Sequence, residues 1–291
     1  MTIYMSSGAF RTRSVNSVID DAVRLGVKRI EMSSGLDHEP NLEDALRRGL
    51  NKGLQFLVHN YFPAPADSKV LNLTSSDPDG LAWSLNHCRY ALDLAKLVNC
   101  DFYSLHSGYA VALSPQMLGK PDLQAEAFGK ANVDREGAYQ LMIQSVREVA
   151  DYAAANGKEL LLENNVISPV YLKKAPLNPL LMTNAEEIVR FMTDVDRPNV
   201  GFLIDVGHTK VSATALNYDA HKFLDTVEAY IRALHLSDND GQEDQNLPFN
   251  AESWFAARLK DFADLPMVIE AYELADDQML QQLELAERLT A

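Results

Sequence analysis

Short apolar runs in this chain end, one after another, on side chains able to do chemistry. Phe56-Leu57-Val58 runs into His59, Phe102-Tyr103-Ser104-Leu105 into His106, and Leu160-Leu161-Leu162 into Glu163. Phe202-Leu203-Ile204 likewise runs into Asp205, and Met267-Val268-Ile269 into Glu270. Glu31 and His235 sit in the same place on two further runs, and His208 follows Asp205 by three residues. Four of the seven histidines belong to this set. Imidazole nitrogen and carboxylate oxygen are ligands of Zn, Mn, Fe, Co and Mg, and a set without thiolate favours the harder ions of that series. A single His or Glu at a strand end ordinarily caps or hydrogen-bonds. Several carboxylates gathered without a cation would suffer like-charge repulsion and desolvation. The recurrence therefore points to a divalent metal site.

The elements that must position these residues alternate from end to end. Period-two or continuous apolar patterning predicts strands at Thr2–Met5, Lys28–Met32, Gln55–His59, Phe102–His106, Glu159–Glu163, Gly201–Asp205, Ile231–Leu236 and Met267–Glu270. Helical periodicity predicts helices at Val15–Leu25, Asn41–Lys52, Gly80–Val98, Glu136–Asn156, Ala185–Thr193, Asp219–Tyr230, Ala251–Phe262 and about Asp277 to Leu289. In the longest, Tyr139, Met142, Ile143, Val146, Val149 and Ala150 recur at three- and four-residue steps, the mark of an amphipathic helix. Asn156-Gly157 and Asp196-Arg197-Pro198-Asn199 supply helix stops. Repeated strand–helix units predict an α/β fold, a single (β/α)8 barrel spanning residues 1–291, with its active site at the C-terminal strand tips. An open doubly wound sheet would usually show a glycine-rich phosphate loop, and the chain has no GxG, GxGxxG or GxxxxGK. The segments Asn165–Thr183 and Leu113–Asn132 are long enough to be lids, substrate walls or rim contacts.

Composition excludes several classes. The 291 residues are 47% hydrophobic and 23% charged, as in ordinary globular proteins. Lys plus Arg is 26 against 41 Asp plus Glu, a net charge of −15, which argues against nucleic acid or an acidic membrane as main partner. Cys88 and Cys100 offer no disulfide framework and no CxxC pair. No signal-type N-terminus and no run of ~18 apolar residues is present, so a cytoplasmic protein is expected.

Four motifs in order resemble the xylose-isomerase-like barrel superfamily, which holds sugar isomerases and epimerases together with endonuclease-IV-type repair enzymes. They are Leu162-Glu163-Asn164, Asp205-Val206-Gly207-His208, the stretch His235-Leu236-Ser237-Asp238-Asn239-Asp240-Gly241-Gln242-Glu243-Asp244, and Ile269-Glu270. The resemblance implies Glu163, Asp205, His235 and Glu270 as the ligands of the shared metal. It makes His59, His106, His208 and Asp244 possible further ligands, as in the trinuclear nuclease. The DxH of that nuclease reads Asp244-Gln245-Asn246 here, and Asn is a poor transition-metal ligand. One firmly held ion (Mn, Zn, Co or Mg), a second weak or absent and no third are expected.

The chemistry so implied is isomerisation or epimerisation of a small sugar or sugar phosphate. A sugar's adjacent carbonyl and hydroxyl oxygens chelate the ion, and a proton moves through a metal-bound enediolate. Glu163 and Glu270 would remove and return that proton, with His208 as third catalytic residue. His59, His106, Asn164 and Glu31 would contact substrate, or Glu31 would orient a neighbour. Many ketose epimerases of this group carry an arginine where this chain has Gly241. The alternatives are a lyase of the inosose or dehydroshikimate dehydratase type, an endonuclease-IV-like phosphodiesterase, and a non-catalytic sugar-binding barrel. A homo-oligomer is compatible with the pattern. Lys210 is expected outside the barrel mouth; Trp254 and Phe249 are expected to pack, though either could wall a sugar ring.

Overall fold

The apolar runs pair in parallel and close on themselves. In the computed structural model, which describes residues 2–117, 123, 126, 133–174 and 177–291, strands β1 (Thr2–Ser6), β2 (Arg29–Met32), β3 (Gln55–His59), β4 (Phe102–His106), β5 (Glu159–Glu163), β6 (Val200–Asp205), β7 (Ile231–Leu236) and β8 (Pro266–Ile269) form one closed barrel. β8 pairs with β1 through Thr2↔Pro266 to Met5↔Ile269, completing the ring. The expected (β/α)8 barrel is the fold. Helices α1 (Val15–Leu25), α2 (Leu42–Asn51), α3 (Pro78–Leu97), α4 (Arg135–Ala155), α5 (Pro169–Lys174), α6 (Ala185–Val195), α7 (Val206–Leu216), α8 (Ala220–Val227) and α9 (Asp276–Thr290) follow in chain order.

Local chemistry sets most helix boundaries. The Ser14 hydroxyl accepts from the Ser17 N–H to start α1, and Gly26, at φ +78°, stops it. Asp77 caps α3 ahead of Pro78, Asp134 caps α4 and Asn184 caps α6. Helices turn stripes such as Val18, Ile19 and Ala22 of α1, or Met142, Val146 and Val149 of α4, into the shared core around the barrel, while Tyr171 of α5 packs in a separate small cluster with Val111 and Ile167.

Register then decides which strand tips are neighbours. His106 lies opposite Glu163, Asp205 opposite His235, Ser6 opposite Glu31, and His59 opposite Ser104. Glu270 stands one residue beyond β8, its N–H donating to the Leu236 carbonyl at 3.0 Å.

Several elements differ from expectation. α7 begins directly at the end of β6, with Asp205 as its N-cap, where no helix was expected; Val206, Thr209, Val211 and Thr214 make a weak helical signal. The segment 251–262 is a helix only in its 3-10 part, Ala256–Phe262. Side-chain bonds from Ser253 to Asp238 (2.6 Å) and from Trp254 to the Val206 carbonyl (3.2 Å) pin its first turn to the barrel top. α8 ends at Val227 and a 3-10 turn, Glu228–Tyr230, carries the chain into β7. The loop 165–183 contains α5. Of the segment 113–132, the structure describes residues 113–117, 123 and 126; the rest of that expected lid or wall lies outside the described residues.

Candidate metal centre and reaction cavity

Four strand tips converge. One ligand atom each from Glu163, Asp205, His235 and Glu270 lies within 4.8 Å of the others. His235 Nδ1 is 2.7 Å from Glu270 Oε2, 3.4 Å from Glu163 Oε1 and 3.8 Å from Asp205 Oδ2. Both Glu163 oxygens, Asp205 Oδ2 and His235 Nδ1 are buried without a hydrogen-bond partner. Donors about 2.0–2.2 Å from one tetrahedral ion lie roughly 3.3–3.6 Å apart; the separations from His235 Nδ1, 2.7 to 3.8 Å, bracket that spacing, and the unpartnered lone pairs suit a divalent cation.

The remaining atoms of these side chains are tied down. Glu31 Oε2 lies 3.0 Å from His235 Nε2; with the proton placed there, Nδ1 is left as the lone-pair nitrogen facing the centre. Asp205 Oδ1 accepts the His208 N–H at 2.6 Å, which leaves Oδ2 for the centre. Asn164 accepts the Asp205 N–H through Oδ1 (2.8 Å) and donates to the Asp205 carbonyl and Thr209 Oγ1. Glu31 and Asn164, expected among the substrate contacts, are thus buried behind the centre and turned toward its ligands.

Glu163 links this centre to a second group. Its Oε2 lies 3.3 Å from His59 Nε2 and 3.4 Å from His106 Nδ1, while His59 Nδ1 meets Ser104 Oγ at 2.9 Å. His208 faces an acceptor on each side, the Asn164 carbonyl at 2.8 Å and Asp244 Oδ2 at 3.2 Å, so both ring nitrogens can donate. The Asn246 amide donates to the same Asp244 oxygen at 3.3 Å. Asp244 Oδ1 and Asn246 Oδ1 are buried without a partner.

Charge is short in the positive sense. Burial pushes the Asp205 carboxyl well above its ordinary value, and the charges of Glu270, Glu163 and Asp244 add to this. Burial would also raise Glu163, but His106, His235 and His59 outweigh it and hold the group well below the carboxylate range. Against its own burial, Glu270 is brought down to about 2 by His235. Burial opposes charge on His208 and His235. Their carboxylate neighbours, led by Asp205 for the first and Glu270 for the second, nonetheless raise both well above an ordinary imidazole. Desolvation lowers His106. Five acids (Glu31, Glu163, Asp205, Asp244 and Glu270) crowd around these imidazoles, an imbalance that a bound cation relieves.

The centre lies under a cavity of about 1100 Å³ onto which His106, His208, Asp244 and Glu270 open. Asn165, Val166, Tyr171 and Leu180 make the segment 165–183 one of its walls. Sequence reasoning missed Tyr272, whose hydroxyl lies 3.1 Å from Glu270 Oε1 and which lines the same cavity. A lone tyrosine three residues past a strand has no periodicity to flag it. Lys210 points away, to Asp238 Oδ1 (2.7 Å) and the Asn239 carbonyl. Phe249 packs on Phe255 (centroids 5.6 Å), and Trp254 bonds the Val206 carbonyl, so both serve packing. Gly241, at φ +77°, is buried with Thr214 Oγ1 3.0 Å from where its Cβ would be, outside the residues lining the cavity.

Closed barrel and clustered strand tips define a (β/α)8 protein with a candidate metal centre at its C-terminal face. The chain belongs to the xylose isomerase-like TIM barrel family, which matches it over residues 19–289. No curated protein matches it by sequence. Among solved structures, a D-tagatose 3-epimerase-like protein superposes over 100% of both chains, with a TM-score of 0.72 at 17% identity. D-psicose 3-epimerase from Clostridium cellulolyticum H10, crystallised with D-tagatose, matches 100% of this chain and 99% of its own, with a TM-score of 0.70 at 16% identity. The 3-keto-D-glucoside 4-epimerase of E. coli matches over 99% and 98%, with a TM-score of 0.68 at 12% identity. At these identities the likeness carries the fold. Among the described residues no helix is long and apolar enough to cross a membrane.

Proposed function

We propose that this protein is a divalent-metal-dependent isomerase or epimerase of a small carbohydrate. The observation that carries the reading is the set of buried, unpartnered donor atoms on Glu163, Asp205 and His235, grouped with Glu270 under a cavity onto which Glu270 opens. Likeness to barrels named as sugar epimerases supports it. A divalent ion, when held there, polarises a substrate carbonyl and acidifies the adjoining C–H.

Glu163, Asp205, His235 and Glu270 would hold that ion, with Glu31 keeping His235 in the required tautomer. Glu163 and Glu270 both approach His235 Nδ1, from different strands, and each keeps a carboxylate in its basic form, so one can take a proton from a substrate carbon and the other return it. Return on the opposite face of the same carbon inverts it; return to the next carbon converts aldose and ketose. His208, with acceptors on both nitrogens, can exchange one of them for a substrate oxygen as charge develops there. His59 and His106 sit against Glu163 and would bond sugar hydroxyls or hold a weaker second ion. The amide of Asn246, where the nuclease pattern has a histidine, weighs against a trinuclear phosphodiesterase.

The test is metal analysis of the purified protein followed by incubation with a ketose panel in deuterium oxide. One ion per chain and deuterium at the carbon beside the carbonyl are expected, with an epimer or isomer as product. Absence of ion and of exchange would remove the reading, and loss of water from the product would turn it into a lyase.

A further inference from the structure

Beside the reaction cavity lies a second hollow of about 320 Å³. Asp37, His38 and the segment Ala64–Ala66 line both, so the two spaces share that wall. The His38 ring holds it in place, its Nδ1 3.0 Å from the Ala64 carbonyl. Another part of its lining is one face of α3, where Trp83, Asn86 and Tyr90 recur at three- and four-residue steps. Trp83 stacks on His87 at 5.1 Å and 24°, and His87 bonds the Asn60 carbonyl, so the indole is fixed to a residue that itself lines the reaction cavity. Tyr90 is 45% exposed.

Chemistry narrows the occupant. Among the described residues no Lys or Arg lines the hollow, whereas Glu39 does, beside Asp37, which Arg13 pairs at 3.0 Å, so a phosphate or other anion is disfavoured. Aromatic faces next to carboxylate and amide groups suit a neutral polyhydroxy ring, with its C–H side on the aromatics and its hydroxyls on the acids. About 320 Å³ stands at the lower end of the ~300–1,000 Å³ of ligand pockets, room for one such ring. The shared wall sets the two occupants side by side, as two linked parts of one molecule would be, and a linked second contact raises affinity through effective concentration.

We propose that the hollow bounded by Trp83, Asn86 and Tyr90 is a saccharide subsite, holding the non-reacting sugar of a glycosylated substrate whose reacting sugar occupies the cavity. This names the substrate class within the isomerase or epimerase reading and rests on it.

Three probes share one ketose and differ only at its sixth carbon: D-fructose, isomaltulose (a glucosyl group there) and fructose 6-phosphate. Trp83 and Trp254 are the two tryptophans of the chain, so Trp254→Phe leaves Trp83 as the only fluorescent indole. Should that variant be unstable, the difference in emission between the unaltered protein and Trp83→Phe reports the same contact. Isomaltulose is expected to change Trp83 emission and to bind about tenfold or more tighter than D-fructose, a gain of about 1.4 kcal/mol, with no gain from the phosphate. Tyr90→Ala is expected to remove that gain and leave D-fructose binding within about twofold. Equal binding of D-fructose and isomaltulose, preference for the phosphate, silence of Trp83, or no binding of any probe would each overturn the subsite. So would a Tyr90→Ala protein that dissociates from dimer to monomer with its saccharide affinities unchanged, since a second copy would then cover the hollow. Isomaltulose bound with a Trp83 response but without deuterium uptake would sink the catalytic reading and leave the subsite standing. Deuterium uptake equal for both sugars with a silent Trp83 would do the reverse.

Discussion

Replacing Glu31 tests whether the centre depends on a residue that never touches the cavity. The Glu31 carboxylate is fully buried and 3.0 Å from His235 Nε2, while its Oε1 has no partner. Glu31→Gln keeps the shape and exchanges a charge-assisted hydrogen bond of about 1.5–3 kcal/mol for a neutral one of about 0.5–1.5 kcal/mol. A loss of about 1–1.5 kcal/mol is roughly 5- to 12-fold in metal affinity, if the energy acts wholly through the ligand. Glu31→Ala deletes the bond and strands a buried N–H, and partners of metal-bound histidines typically contribute about 10–100-fold. Calorimetric titration of chelator-stripped protein with Mn or Zn gives the two constants directly, and thermal melting of the stripped proteins separates metal loss from unfolding. The graded order, unaltered protein tighter than Gln and Gln tighter than Ala, is the expected result. Unchanged affinity in Glu31→Ala would refute the argument, since His235 would then be held by something else.

Three further outcomes follow from the same geometry. Glu163→Gln and Glu270→Gln each remove a proton acceptor, so solvent-deuterium incorporation should fall about 10²–10⁴-fold, measured at checked metal occupancy. A fully active, fully loaded Gln variant would take that glutamate out of the mechanism. Tyr272→Phe deletes one hydroxyl contact on Glu270 and should lower kcat about 3- to 10-fold with metal affinity unchanged; equal loss in metal affinity would make Tyr272 a support of the centre instead. Asn246→His completes the nuclease-like trio with His208 and Asp244, so zinc stoichiometry in excess zinc should rise without faster sugar turnover; three ions per chain in the unaltered protein would reopen the phosphodiesterase reading.

Much of the barrel was legible because strand and helix signals are local. Leu160-Leu161-Leu162-Glu163 reads as a buried strand with a polar tip from neighbouring residues alone, and Ser14 and Gly26 bracket α1 within a few positions of it. Signals with no local pattern were lost. The helix α7 has a β-branched sequence, and its start depends on the Asp205 cap, a residue already read as the end of a strand.

Sequence by itself determined which residue types stand at the strand tips, and so which chemistry is available. Tertiary structure decided where each of them aims. Parallel register sets Glu163 beside His106 and Asp205 beside His235, and ring closure brings Glu31 to His235 across 204 positions of chain. It also turned Asn164 and Glu31 away from the cavity and gave Glu270 the Tyr272 hydroxyl as a partner. The physical reason is one of range: periodicity and capping are settled among residues a few positions apart, whereas the direction of a buried polar side chain is settled by whichever distant groups can satisfy its lone pairs and protons.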